Sequence, residues 1–138
     1  MPSNSRIWFT DPRFGILGNY EGHVDKPELA PNIYRVDGQT GAISVVMGEV
    51  ERPNGLCFSP DESKLYVVVA SANPREIHAF DVVDKGTRLT NRRTLITAEA
   101  DGTPDGLRCD VDGNLWYGWG MGLEGLDGVV IFNADGKR

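Results

Sequence analysis

Two short stretches hold the residues best suited to chemistry. Pro53-Asn54-Gly55-Leu56 and Pro104-Asp105-Gly106-Leu107 follow one pattern, and their second residues, Asn54 and Asp105, lie 51 positions apart. Each is an Asx side chain at the head of a strand-like apolar run, where a short arm can present an oxygen beyond the strand end. Such oxygens suit a hard divalent cation: calcium takes roughly 6 to 8 of them and magnesium about six. Two side-chain oxygens alone make a weak site. Both tripeptides are also turn formers, so the repetition of the pattern, rather than either copy, points to a ligand role.

Other polar residues carry weaker signals. Asp11, in Thr10-Asp11-Pro12, closes a strand-like run where a long loop begins, and could contact a substrate; Asp-Pro is also a common turn. His23 lies within that loop and could touch a polar substrate or carry a proton, although a solvated loop histidine is the plainer reading. His78 alternates with Ile77 and Ala79 and reads as structural. No His-x-His or Cys-x-x-Cys spacing occurs, so nothing selects zinc. Cys57 and Cys109 are too few for a disulfide scaffold and read as small buried thiols. Trp116, Tyr117 and Trp119 suggest a sugar-stacking platform, yet alternation sends Tyr117 and Trp119 to one face and Trp116 to the other, which favours packing. The Gly120–Gly125 turn precedes no helix and is no phosphate loop, and no serine sits in a nucleophile elbow.

The elements that must position these residues are strands. Short runs rich in β-branched and aromatic residues occur at 6–10, 32–36, 42–47, 56–58, 64–70, 76–82, 93–97, 107–109, 114–119 and 128–132, with no convincing helix between them. Asp37-Gly38, Ser59-Pro60-Asp61, Asp112-Gly113 and Asp135-Gly136 mark tight reversals. Residues 16–31 form a longer polar loop of the kind that often serves as a functional lid. Leu65-Tyr66-Val67 follows the first Pro-Asx-Gly motif as Leu115-Trp116-Tyr117 follows the second, and Ile7-Trp8-Phe9 is a third copy of that strand. Four antiparallel strands repeated about every 50 residues are the signature of β-propeller blades. The expected architecture is all-β: about two and a half blades, with residues 1–52 lacking the inner strand, 53–103 complete and 104–138 lacking the outer strand. A propeller closes only as a full ring, so the chain reads as an internal fragment of a longer protein.

Composition narrows the function. With 138 residues, a net charge of −6, 40% hydrophobic and 25% charged residues, the chain is one ordinary globular domain or part of one. Its acidity removes the attraction to phosphate backbones and anionic lipid, so no nucleic-acid or membrane partner is expected, and no feature of the sequence implies a protein partner. No apolar run approaches 18 residues, and residues 1–11 contain no stretch of signal-peptide type. The compartment stays open between cytoplasm and, with a leader upstream of Met1, periplasm.

Four stretches together resemble the gluconolactonase group of the senescence-marker-protein (regucalcin) and gluconolactonase family: 8–15 (Trp-Phe-Thr-Asp-Pro-Arg-Phe-Gly), 52–56 (Arg-Pro-Asn-Gly-Leu), 105–116 (Asp-Gly-Leu-Arg-Cys-Asp-Val-Asp-Gly-Asn-Leu-Trp) and 124–129 (Glu-Gly-Leu-Asp-Gly-Val). The resemblance runs through nearly the whole chain in order. It implies a six-bladed propeller and a metal-dependent hydrolase of sugar lactones, the metal at the mouth of the central channel. Calcium is the expected ion, with magnesium or zinc as alternatives. Two of the family's ligands map onto Asn54 and Asp105, whereas its glutamate would lie upstream of Met1. On this reading the metal polarises the lactone carbonyl and activates water, with Asp105 as ligand and catalytic base and Asn54 as a neutral ligand. A non-catalytic binding or calcium-handling module is the alternative, since propellers host many functions.

Overall fold

The computed structural model describes residues 6–138. Residues 1–5, which begin the stretch read for an export signal, lie outside the described residues. The chain divides into two compact units, one ending at Pro53 and the other beginning at Asn54.

The N-terminal unit is a three-stranded sheet in the order β1 (Arg6–Thr10), β2 (Ile33–Asp37), β3 (Ile43–Met47), with both pairings antiparallel. Phe9 stands opposite Tyr34, and their rings stack at 5.2 Å, the kind of cross-strand aromatic pair that fixes register. The β2–β3 turn is closed by Asp37, whose Oδ1 accepts the N–H groups of Gln39 and Thr40, each at 3.0 Å. These bonds hold the Asp37 carboxyl below its usual range. Between β1 and β2 runs the long loop, which contains one 3-10 turn at Phe14–Ile16. The loop is tied down by its own groups: Asp25 N–H reaches the carbonyl of Ile16 (3.3 Å), and the Tyr34 hydroxyl donates to the carbonyl of Ala30 (2.7 Å).

The C-terminal unit contains two sheets. One has the order β4 (Pro53–Phe58), β5 (Lys64–Val69), β6 (Glu76–Val83), β7 (Arg88–Thr97); the other has β8 (Leu107–Cys109), β9 (Leu115–Trp119) and β10 (Gly128–Phe132) in sequence order. Strand β5, Lys-Leu-Tyr-Val-Val-Val, is buried on both faces, which is why its sequence is a continuous apolar run instead of an alternating one. Strand β9 does alternate: Leu115, Tyr117 and Trp119 are buried, while Trp116 and Gly118 face outward. Tyr66, Val68, Ile77 and Ala79 from one sheet meet Leu107, Leu115, Tyr117 and Phe132 from the other in a single core. Tyr117 and Phe132 pack edge to face at 5.9 Å within it.

Two strands are longer than sequence suggests. Strand β4 begins at Pro53 rather than Leu56, so Asn54 lies inside the strand. Strand β7 begins at Arg88 rather than Arg93, because its polar residues pair as well as apolar ones along the outer position of the sheet. The irregularity is taken up by Asn91, at φ 51°, and by a register shift between Ala79 and Asp81.

Candidate functional site

Asn54 and Asp105 come together in the C-terminal unit. The Asn54 Nδ2 group donates to Asp105 Oδ1 at 2.6 Å, joining residues 51 positions apart. Asn54 is half-buried and Asp105 exposed, so the pair sits at a solvent boundary. Both are anchored by what precedes and follows them. Pro53 and Pro104 are fully buried, fixing where each strand enters. Asp105 N–H donates to the carbonyl of Gly118 at 3.1 Å, and Gly118 N–H to the carbonyl of Gly106 at 2.9 Å, so the segment before β8 already pairs with β9.

The two glycines behind these Asx residues differ. A Cβ on Gly55 would run into the backbone carbonyl of Asp105 and stand 3.0 Å from Gly106 Cα. Glycine at 55 is therefore what lets the two strand heads approach closely enough for their side chains to meet. Gly106 has no such constraint: a Cβ there meets nothing within 4 Å among the described residues, and its φ is not positive. The shared Pro-Asx-Gly pattern suggests the same constraint on both glycines, and only Gly55 is held by a steric one.

An amide and a carboxylate side by side, partly open to solvent, are hard oxygen donors that fit part of a calcium- or magnesium-type ligand set. Among the described residues no group of three or more His, Cys, Asp or Glu side chains is placed to hold a metal. A cation held here would draw on Asn54 and Asp105 together with donors from elsewhere.

The remaining candidates fall out as follows. Asp11 immediately follows β1 in the N-terminal unit, its N–H donating to the carbonyl of Asn32 at 3.2 Å, and lines a cavity of about 400 Å³ with Arg13, Asp25, Lys26 and Glu28. His23 is exposed on the loop, outside that lining. His78 is buried and structural: Arg92 Nε donates to its Nδ1 at 2.9 Å, so Nε2 carries the proton toward Glu76 Oε2 at 2.7 Å. Tyr117 and Trp119 belong to the core and cannot stack on a sugar. Trp116 is exposed, its indole N–H donating to Asp110 Oδ2 at 3.0 Å. It borders a shallow cavity of about 450 Å³ with Gly106, Arg108, Gly118 and Val129. Sequence reasoning passed over Asp61 and Asp110 as ordinary turn residues. Both carboxyls are held down at about 2, Asp61 chiefly by the hydroxyl of Ser59 and Asp110 chiefly by the indole of Trp116. The signal available was the Asx-x-Asx and Ser-x-Asp spacing, which places a carboxylate over its own turn.

Comparison with known proteins places this architecture. Residues 2–138 match the model of the SMP-30/Gluconolactonase/LRE-like region. The chain belongs to that family. Among curated relatives, a lactonohydrolase of Aspergillus oryzae is 32% identical over 86% of this chain and 30% of its own length. A gluconolactonase of Zymomonas mobilis is 31% identical over 95% of the chain and 36% of its own length. Among solved structures, a gluconolactonase from Xanthomonas campestris is 37% identical with a TM-score of 0.83, covering 98% of this chain and 42% of that one. A regucalcin from Agrobacterium tumefaciens, described as a calcium-binding protein, is 25% identical with a TM-score of 0.62, covering 79% of this chain and 35% of that one. The chain thus spans about a third of the length of the curated relatives it matches.

Proposed function

We propose that this chain is part of a metal-dependent sugar-lactone hydrolase with a six-bladed propeller fold, and that Asn54 and Asp105 are two of its metal ligands. One observation carries the reading: two Asx side chains 51 residues apart, at matching places in a repeat, converge to 2.6 Å at a solvent boundary. The names of the relatives, lactonohydrolase and gluconolactonase, supply the substrate class. The three sheets are then successive blades: residues 1–52 without an inner strand, 53–103 complete, and 104–138 without an outer strand.

A bound divalent cation supplies Lewis-acid polarisation and makes water more acidic. Asn54, being neutral, adds an oxygen donor without adding negative charge. Asp105 Oδ1 is engaged by Asn54, which leaves Oδ2 to accept a proton as water adds to the lactone carbonyl. Asp11, with the mixed charges of its cavity, and His23 on the adjoining loop are proposed to contact the polyol part of the substrate. Calcium is the proposed ion, supported by the description of the regucalcin structure; magnesium and zinc are the alternatives.

The same regucalcin likeness favours a second reading, a calcium-handling module without hydrolysis. The two separate on one experiment in the whole protein. Asp105→Ala is expected to bring metal-dependent hydrolysis of an aldonolactone down to the background rate, and to weaken calcium binding measured by titration calorimetry. Full activity in that variant overturns the assignment of Asp105. Calcium binding by the unaltered protein without any lactone hydrolysis establishes the second reading instead.

A further inference from the structure

Away from Asn54 and Asp105, the C-terminal unit holds a cluster of groups that the proposed hydrolysis does not use. Cys57 lies three residues after Asn54, and Cys109 four residues after Asp105. In matched strands that one-residue offset sends the two side chains to opposite faces, one forward from its sheet and the other back from the next. Both thiols accordingly pack against the same core between the β4–β7 sheet and the β8–β10 sheet. The strand heads are in close approach at Gly55 and Gly106, and the Asn54–Asp105 hydrogen bond ties them. Both cysteines are reduced and half-buried. Beside them stand the hydroxyls of Tyr66 and Tyr117, the latter buried and without a hydrogen-bond partner among the described residues. Burial, and after it the negative charge of a Cys109 thiolate, push the Cys57 thiol up to about 12. Burial raises Cys109 as well.

We propose that Cys57 and Cys109 are a modification site, a thiol pair that a small-molecule disulfide converts into a covalent bridge between β4 and β8. The thiolate of Cys109, the less desolvated of the two, attacks one sulfur of the reagent and expels the other as a thiolate. The Cys57 thiolate then attacks Sγ of Cys109 in the mixed disulfide and expels the second reagent thiolate. Two protein thiols lose two electrons and two protons, and the reagent is reduced to two thiols. Since burial disfavours both protein thiolates, the reaction is slow at neutral pH and accelerates about tenfold per pH unit between roughly 7 and 9.

The test uses oxidised glutathione on the folded protein, with acid quenching, alkylation after denaturation, and intact-mass and peptide analysis. The expected product is about 2 Da lighter than the starting protein, has lost both alkylatable thiols at 57 and 109, and yields a peptide linking the two residues. Cys57→Ser and Cys109→Ser should each stop at a single glutathione adduct or remain unmodified. The bridged form should melt several degrees higher than the reduced form, because it closes a loop of about fifty residues. Stable mixed adducts on both cysteines without a linked peptide, or thiols that resist the reagent even at pH 9, overturn the proposal. So does a bridged form that melts lower than the reduced one, since the bond would then form only by distorting the two sheets.

Discussion

The stretches at 53–56 and 104–107 have the same Pro-Asx-Gly-Leu pattern, and in the folded chain each places its proline in the core and its Asx at a solvent boundary. They differ at the glycine. Gly55 is pressed against the backbone of Asp105, whereas Gly106 faces open space. A difference of the same kind follows in the next turn. After the first stretch the carboxylate of Asp61 reaches back to Ser59 and across to Ser63; after the second, Asp110 occupies the place of Ser59 and reaches forward to Asn114 and Trp116. Repetition of sequence preserves the path of the backbone, while each copy divides the steric and electrostatic work among its residues in its own way.

The largest effect that would sharpen this contrast is at Gly55. Gly55→Ala must push β4 away from the Asp105 carbonyl, and a loss of about 2–3 kcal/mol in unfolding free energy by urea titration is expected. The same variant should weaken calcium binding, because it separates Asn54 from Asp105. Unchanged stability and binding would show that the close approach is not what positions the pair.

Acid titration tests the two turns. The folded-state carboxyls of Asp61 and Asp110 lie near 2, below the unfolded value of about 3.9, so their contribution is present above pH 4 and is lost as pH falls toward 2. Asp61→Asn and Asp110→Asn should each flatten the fall in melting temperature over that window. Asp61 is exposed and Asp110 half-buried at the surface, so the change is expected to be small and to shrink further in high salt. A pH profile identical to that of the unaltered protein in both variants would break the comparison. The smallest effect belongs to Gly106→Ala, where space and an ordinary φ predict a change within about 0.5 kcal/mol. A loss equal to that at Gly55 would mean that the two glycines do the same work after all.

Much of the architecture is readable from residue order. The runs at 6–10, 64–70 and 114–119 declare strands through β-branched and aromatic residues, and the alternation of Trp116 and Tyr117 sends their rings to opposite faces. Strand β7 is less legible, because Arg88 to Arg92 are polar residues whose pairing depends on a neighbouring strand and a bulge at Asn91. The pairing of Asn54 with Asp105 is suggested by the repeat, since matched positions in matched elements fall near one another. The exposed state of Trp116, the cavity around Asp11 and the isolation of the Tyr117 hydroxyl are not legible in this way.

The sequence by itself determined the all-β class, the periodic unit of about 50 residues and the two Asx positions, because these rest on local alternation, turn chemistry and repetition. Only the tertiary structure decided that Gly55 is constrained and Gly106 is not, that the side chains of Asn54 and Asp105 touch, and that Cys57 and Cys109 share one core. Those outcomes depend on which backbone atoms of a distant strand arrive beside a residue, and a residue's own neighbours in sequence do not specify that.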